Sequence, residues 1–152
     1  MFVHIPPDTF LREGYNMIGR QVSSCPITFT ATSTQRFCST FGVNALICTQ
    51  LWYLIGINAG ENLIRTALPK HLLWSLLLLK QYNSTEIASA IAGVDEKTYR
   101  KWSWIFVHIL ADLNDVVSKV CLDMSILLMR LNIYTLHNNM DVWYRLNGRT
   151  AT

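Results

Sequence analysis

Between Asn83 and Leu113 the chain reads Asn83-Ser84-Thr85-Glu86-Ile87-Ala88-Ser89-Ala90-Ile91-Ala92-Gly93-Val94-Asp95-Glu96-Lys97-Thr98-Tyr99-Arg100-Lys101-Trp102, then Ser103 to Leu113. Two helices joined by a tight turn account for it, the second longer and basic at its start, which is the outline of a helix-turn-helix. Such a motif needs a small residue where its helices cross, and Ser89 stands there. It needs a turn residue that tolerates positive φ, and Gly93 supplies it without a Cβ clash. Ala88, Ala92, Val94, Tyr99 and Trp102 occupy the apolar points that lock the crossing. Asn83 with Glu86 reads as a capping box for the first helix, and Asp95 as the cap of the second. Along the second helix Tyr99, Trp102, Phe106, Ile109 and Leu113 recur at helical spacing and face a core. Lys97, Arg100, Lys101 and Trp104 are left on the outer side. The plain alternative is an ordinary pair of packed helices with a glycine between them.

The rest of the chain must supply a support for this pair. Pro69 stands where prolines start helices, and Lys70 to Tyr82 follows with Leu72, Leu73, Trp74, Leu76, Leu77, Leu78 and Leu79. A helix apolar nearly all round is buried on most sides. It is too short to span a bilayer and reads as the supporting helix of a three-helix unit. Ahead of it, residues 37–60 contain no charge at all. That stretch is the sole candidate for a membrane span, but Asn44, Thr49, Gln50 and Asn58 interrupt it, and polar groups at mid-membrane are costly. It reads better as a buried helix capped by Asn44, with Leu51, Trp52 and Ile55 on its apolar face and Gly56 at its end. Residues 57–68 read as a connecting loop.

Pro6, Pro7, Gly14, Gly19, Ser23, Ser24 and Pro26 punctuate residues 1–35, which show no persistent period and read as a loose arm, with Ile27 to Thr32 able to extend. After Leu113, Val116, Val117, Val120, Met124, Leu127, Leu128 and Leu131 keep helical spacing, so a further helix is expected over about 115–130. The expected fold is all-α. A helix-turn-helix three-helix unit, braced by an additional N-terminal helix, occupies residues 36–113, between the arm at 1–35 and a C-terminal helix and tail at 114–152.

Composition bounds the function. The 152 residues are 51% hydrophobic and 15% charged, against about 25% charged in ordinary soluble domains. The chain therefore needs a large core, a partner surface or a membrane. Its net charge of +3 is mildly basic and does not by itself imply nucleic acid. Cys25, Cys38, Cys48 and Cys121 form no C-x-x-C pair, and with no signal peptide at Met1 they read as free thiols of an intracellular protein, nuclear or cytoplasmic. Cys48 reads as core. His4, His71, His108 and His137 are scattered at no ligand spacing, so no metal site is expected. His71 and His108 read as ordinary surface or half-buried residues. No phosphate-cradling glycine motif is present, and no cofactor is implied.

The run Pro69-Lys70-His71-Leu72-Leu73-Trp74-Ser75-Leu76-Leu77-Leu78-Leu79-Lys80, followed by Gly93-Val94-Asp95-Glu96-Lys97-Thr98-Tyr99-Arg100-Lys101-Trp102, resembles the segment ahead of the nuclease in Harbinger-type DDE transposases and their domesticated relatives. The resemblance covers roughly Arg36 to Leu113. It implies an N-terminal helical DNA-binding region, followed in the family by an RNase H-like domain with three acidic metal ligands. Past Leu113 the sequence departs from that pattern. Asp123 is the nearest candidate for the first carboxylate, but Met-Ser-Ile follows it and it lies in a helical period. Asp141 is the sole acidic residue after it, whereas two-metal chemistry needs several converging carboxylates. The resemblance therefore implies a transposase-derived protein without its nuclease, and no enzymatic activity.

Three readings follow. In the first, a DNA-binding module uses Lys97, Arg100 and Lys101 on its recognition helix, with Lys70 and Lys80 as backbone contacts. Trp104 either stacks on a sugar or base or meets a neighbouring helix. From Arg36 to Leu113 there are seven basic and five acidic residues, so binding to double-stranded DNA is expected to be weak and salt-sensitive. In the second, apolar surface makes the chain a helical interaction module that forms homo-oligomers or binds another protein. In the third, residues 37–60 anchor a small membrane protein.

Overall fold

A computed structural model describes residues 4–19, 31–58 and 66–113. Among the described residues there are six helices and no strand: α1 (Pro7–Met17), α2 (Ala31–Phe41), α3 (Ala45–Asn58), α4 (Pro69–Gln81), α5 (Thr85–Ala92) and α6 (Glu96–Asp112). The fold is all-α, as the periodicities imply.

The most apolar helix takes the centre. All nine side chains of α4 from His71 to Leu79 are buried, and α4 packs against each of the other five helices. Pro69 begins it, where the missing N–H costs nothing. It stops at Tyr82, which takes the left-handed conformation (φ 51°) although it is not a glycine. α5 and α6 fold onto one side of α4 around a small cluster of Trp74, Ala88 and Tyr99. The Tyr99 hydroxyl donates to the Trp74 carbonyl at 3.0 Å, tying α6 to α4 inside that cluster.

The joint between α5 and α6 follows the sequence closely. Gly93 ends α5 in the left-handed region (φ 67°). The Val94 N–H returns to the Ser89 carbonyl and the Gly93 N–H to the Ala90 carbonyl, satisfying the last turn of α5. Asp95 caps α6, its carboxylate accepting from the Lys97 and Thr98 N–H groups. The cap of α5 falls one residue later than expected. Ser84 accepts from the Ile87 N–H, while the Asn83 amide donates to the Gln81 side chain. Either residue type can cap, and the register of Thr85 sets which one stands at the helix start.

The N-terminal third departs most from the reading of a loose arm. Pro7 starts α1, and Phe10, Leu11 and Gly14 are buried. The short spacing of those three positions makes one narrow apolar face, which α3, α4 and α2 cover. Gly14, which reads as punctuation, is a contact point. A Cβ there would lie 2.6 Å from the Phe37 ring and 2.8 Å from the Phe41 ring. α2 then crosses the boundary expected at residues 35 and 36, and its Phe37 and Phe41 are fully buried. The three-helix unit is thus braced by three helices, not one.

The uncharged stretch does not form one continuous helix. It breaks between Phe41 and Ala45, where Gly42 takes φ 82°, and the two pieces meet at 51°. Among the described residues no single helix is long and apolar enough to cross a membrane, although this bent pair meets the requirement by length and composition. Asn44 does cap α3, accepting from the Ile47 N–H at 2.8 Å. Leu51, Trp52 and Ile55 are buried, as is Cys48, whose thiol burial pushes well above its ordinary pKa. Gly56 does not end α3, which continues to Asn58, because a helical glycine costs only about 1 kcal/mol and packing on α1 outweighs it. The helix expected over 115–130, and with it Asp123, lies outside the described residues.

Candidate functional site

α6 sorts its side chains by the helical period. Tyr99, Ser103, Phe106, Val107 and Leu110 are buried. Lys97, Arg100 and Lys101, one or two turns from the start, are exposed and project together from the opposite side, because residues three and four apart share a helix face. The structure thus brings the three expected recognition residues into one patch at the N-terminal end of α6.

The patch is less positive than its three cations suggest. Glu96 lies 3.8 Å from the Arg100 guanidinium on the same helix, and its carboxylate also accepts from the Thr85 hydroxyl at 3.0 Å. That second bond joins the first turn of α5 to the first turn of α6, so Glu96 positions α6 while it offsets one of its charges. Two acidic residues at a helix start also favour the helix dipole. Nothing in the spacing of Thr85 and Glu96 marks this bond beforehand, because the turn geometry creates it.

Trp104 shares the outer side by period, yet it is half-buried and packs against the main core. Its ring centroid is 5.9 Å from that of His108. It is therefore not an open stacking platform, and the expectation that it stands outward is corrected. Trp102, expected in the core, is half-buried at its edge. Ile109 is half-buried as well.

The residue that sequence reasoning undervalues is His71. It is 5% exposed, neither a surface nor a half-buried side chain. Its ring stacks on Trp102 with centroids 4.1 Å apart and an interplanar angle of 12°, and it touches Trp74 at 4.8 Å. Its Nδ1 accepts from the Leu68 N–H at 3.0 Å, closing the first turn of α4 from the third helical position. Burial first, and the Lys70 ammonium second, lower its pKa from 6.5 to about 4. The imidazole is therefore neutral near pH 7, as an acceptor Nδ1 requires. A polar side chain three residues after a helix cap, with proline at the first helical position, is the signal that could have found it.

His71 also links two of the expected cations. Lys70 Nζ lies 5.8 Å from the Trp74 ring, and Lys101 Nζ lies 6.0 Å from the Trp102 ring, with His71 between the two indoles. Such contacts orient ammonium groups over aromatic faces. Lys70 and Lys101 thus flank one aromatic cluster at the start of α4. Lys80 stands in the last turn of α4, at the other end of that helix. It is half-buried and does not join Lys70.

Among the described residues no three His, Cys, Asp or Glu side chains come together as a metal could need. Among the described residues two buried polar atoms have no hydrogen-bond partner, Trp74 Nε1 and Ser103 Oγ, and both belong to buried positions of α4 and α6. No protein-family model, curated protein or solved structure matches this chain.

Proposed function

We propose that the chain is a DNA-binding helix-turn-helix module of transposase origin that lacks nuclease activity. The observation that carries the reading is the exposed Lys97, Arg100 and Lys101 patch on the first turns of α6, presented by a helix whose start is held by Asp95, Glu96 and the Gly93 turn. Recognition helices enter the major groove through their N-terminal residues. The family origin rests on the residues quoted from Pro69–Lys80 and Gly93–Trp102. Lys70 and Lys80 flank the unit as backbone contacts. The modest net charge makes the binding weak at physiological salt.

Arg and Lys have different parts in this scheme. A guanidinium pairs bidentately with guanine, whereas an ammonium acts as a point charge on phosphate. Arg100→Ala should relax any sequence preference at a cost of about 1–3 kcal/mol, while Lys101→Ala should weaken all duplexes alike. Fluorescence anisotropy with a panel of duplexes distinguishes these outcomes. Equal losses on every duplex for both variants would remove Arg100 from base readout.

A second reading, a helical protein-interaction module, has its own observation. Leu46 and Ile57 on α3 are 59% and 60% exposed. An anisotropy signal that is insensitive to the α6 cations, together with self-association, would favour it.

A further inference from the structure

Glu96 opens α6 and stands four residues before Arg100, so the two side chains share one face of the helix, in the order that favours an ion pair. One oxygen serves two partners. Glu96 Oε1 accepts from the Thr85 hydroxyl at 3.0 Å and lies 3.8 Å from Arg100 Nη1. Both charged side chains stay open to solvent, Arg100 52% and Glu96 40% exposed. An exposed pair of this kind is ordinarily weak, because two long side chains must be ordered to make it. Here the Thr85 bond has already ordered one of them. The neighbouring carboxylate is engaged on the backbone: Asp95 Oδ2 accepts from the Lys97 and Thr98 N–H groups. Glu96 is therefore the carboxylate that meets the basic patch.

We infer that Glu96 is a positioning residue for sequence recognition: it holds the Arg100 guanidinium for guanine and withholds it from phosphate. This rests on the DNA-binding reading above and names the base that the site selects. A guanidinium carries five N–H donors in a fixed fork, and guanine takes a bidentate pair of them through O6 and N7. A carboxylate beside Nη1 leaves donors enough for that pair and restrains the plane in which they point. Binding to a random sequence needs no such plane. It draws mainly on net charge against phosphate, and the Glu96 carboxylate offsets that charge. The same group thus favours the guanine contact and opposes the non-specific one. Removing its charge should move the two in opposite directions, whereas removing a charge that does not touch Arg100 should move both the same way.

Selection from a pool of randomised duplexes, sequenced before and after capture by the full chain, tests this. Anisotropy titrations follow on the enriched duplex and on one without guanine at the selected position. The natural chain should enrich a guanine. Glu96→Gln keeps an oxygen for the Thr85 hydroxyl but loses the charge. Its guanine enrichment should fall several-fold, while it binds the second duplex more tightly, with a salt slope steeper by up to about one. Thr85→Val keeps the charge but frees the Glu96 side chain, so enrichment should fall as well. In an Arg100→Ala background Glu96→Gln should no longer alter enrichment. Glu86→Gln removes an equal charge from the first turn of α5 and should raise both affinities alike, with enrichment unchanged. Circular dichroism checks that each variant is folded, and if Thr85→Val is not, Glu96→Gln decides. Three results would overturn the proposal and leave DNA binding standing: no guanine enriched by the natural chain, Glu96→Gln behaving as Glu86→Gln does, or a folded Thr85→Val with enrichment intact. Binding to no duplex, or binding indifferent to joint loss of Lys97, Arg100 and Lys101, would overturn the DNA-binding reading and this proposal with it.

Discussion

His71 shows how one side chain can serve the local helix, the core and the candidate site together. It accepts the Leu68 N–H, fills the space beneath Trp102 and separates Lys70 from Lys101. Its proton balance has a definite sign. The folded pKa is about 4 against an ordinary 6.5, so between those values the unfolded chain binds the extra proton. The stabilisation is complete above pH 6.5 and is lost as pH falls towards 4. Each tenfold difference in proton affinity is worth about 1.4 kcal/mol, so the full loss is about 3 kcal/mol. Gln at the third helical position can accept the same backbone N–H without titrating. His71→Gln should therefore be less stable than the natural chain at pH 7.5, yet lose less stability on acidification, as read from urea midpoints at pH 7.5 and 4.5. An unchanged acid slope would remove His71 as its source.

Gly93 is the second residue with an effect out of proportion to its size. Nothing lies within 4 Å of where its Cβ would be, so space is not the constraint; φ of 67° is. A left-handed conformation costs an ordinary L-residue about 1–2 kcal/mol, and Asn tolerates it better. Gly93→Val should lower unfolding stability by at least that much and loosen the angle between α5 and α6, whereas Gly93→Asn should be nearly neutral. Equal urea midpoints for the two variants would show that the turn is not held by backbone conformation.

At the scale of elements, legibility follows the strength of the local code. α5 and α6 are readable because capping, the turn glycine and the apolar period agree over a short span. α4 is readable from Pro69 and its leucines. α1 is not, because Gly14 looks like a helix breaker until Phe37 and Phe41 are seen against it, and that contact joins residues far apart in the chain. The break at Gly42 is hidden for the opposite reason: hydrophobicity runs straight through it, and only φ records the turn. Two energies compete at Gly14. Alanine is about 1 kcal/mol better in a helix interior, but overpacking against buried rings costs typically about 1–3 kcal/mol. Both phenyl rings are fully buried, so the clash should win. Gly14→Ala should be destabilised, with α1 amides exchanging faster with deuterium; a raised melting temperature would mean that α1 sits loosely on α2.

The candidate site is partly legible for the same reasons. Lys97, Arg100 and Lys101 can be placed outward because the period of α6 is regular. Trp104 cannot, since its half-burial depends on what packs beside it. Glu96 is unreadable as a brace because its partner Thr85 is brought near by the turn.

For the whole molecule, the balance of core and charge sets the terms of function. The chain is 51% hydrophobic and 15% charged, and most of its described residues are engaged in packing six helices. Few cations remain for a polyanion, and three of them stand on one helix face. Binding to DNA must then show a shallow salt dependence carried by those three. Each phosphate neutralised contributes about −0.9 to the slope of log K against log salt. The direct measurement is this slope for the full chain and for the Lys97→Ala, Arg100→Ala, Lys101→Ala triple variant, on the same duplex, after circular dichroism has shown equal helicity. The expected slope is about −3 to −4 for the natural chain, with a loss of about two to three in the variant. Unchanged affinity with an unchanged slope would contradict DNA recognition through this patch, and α5 and α6 would then be scaffold for an interaction module.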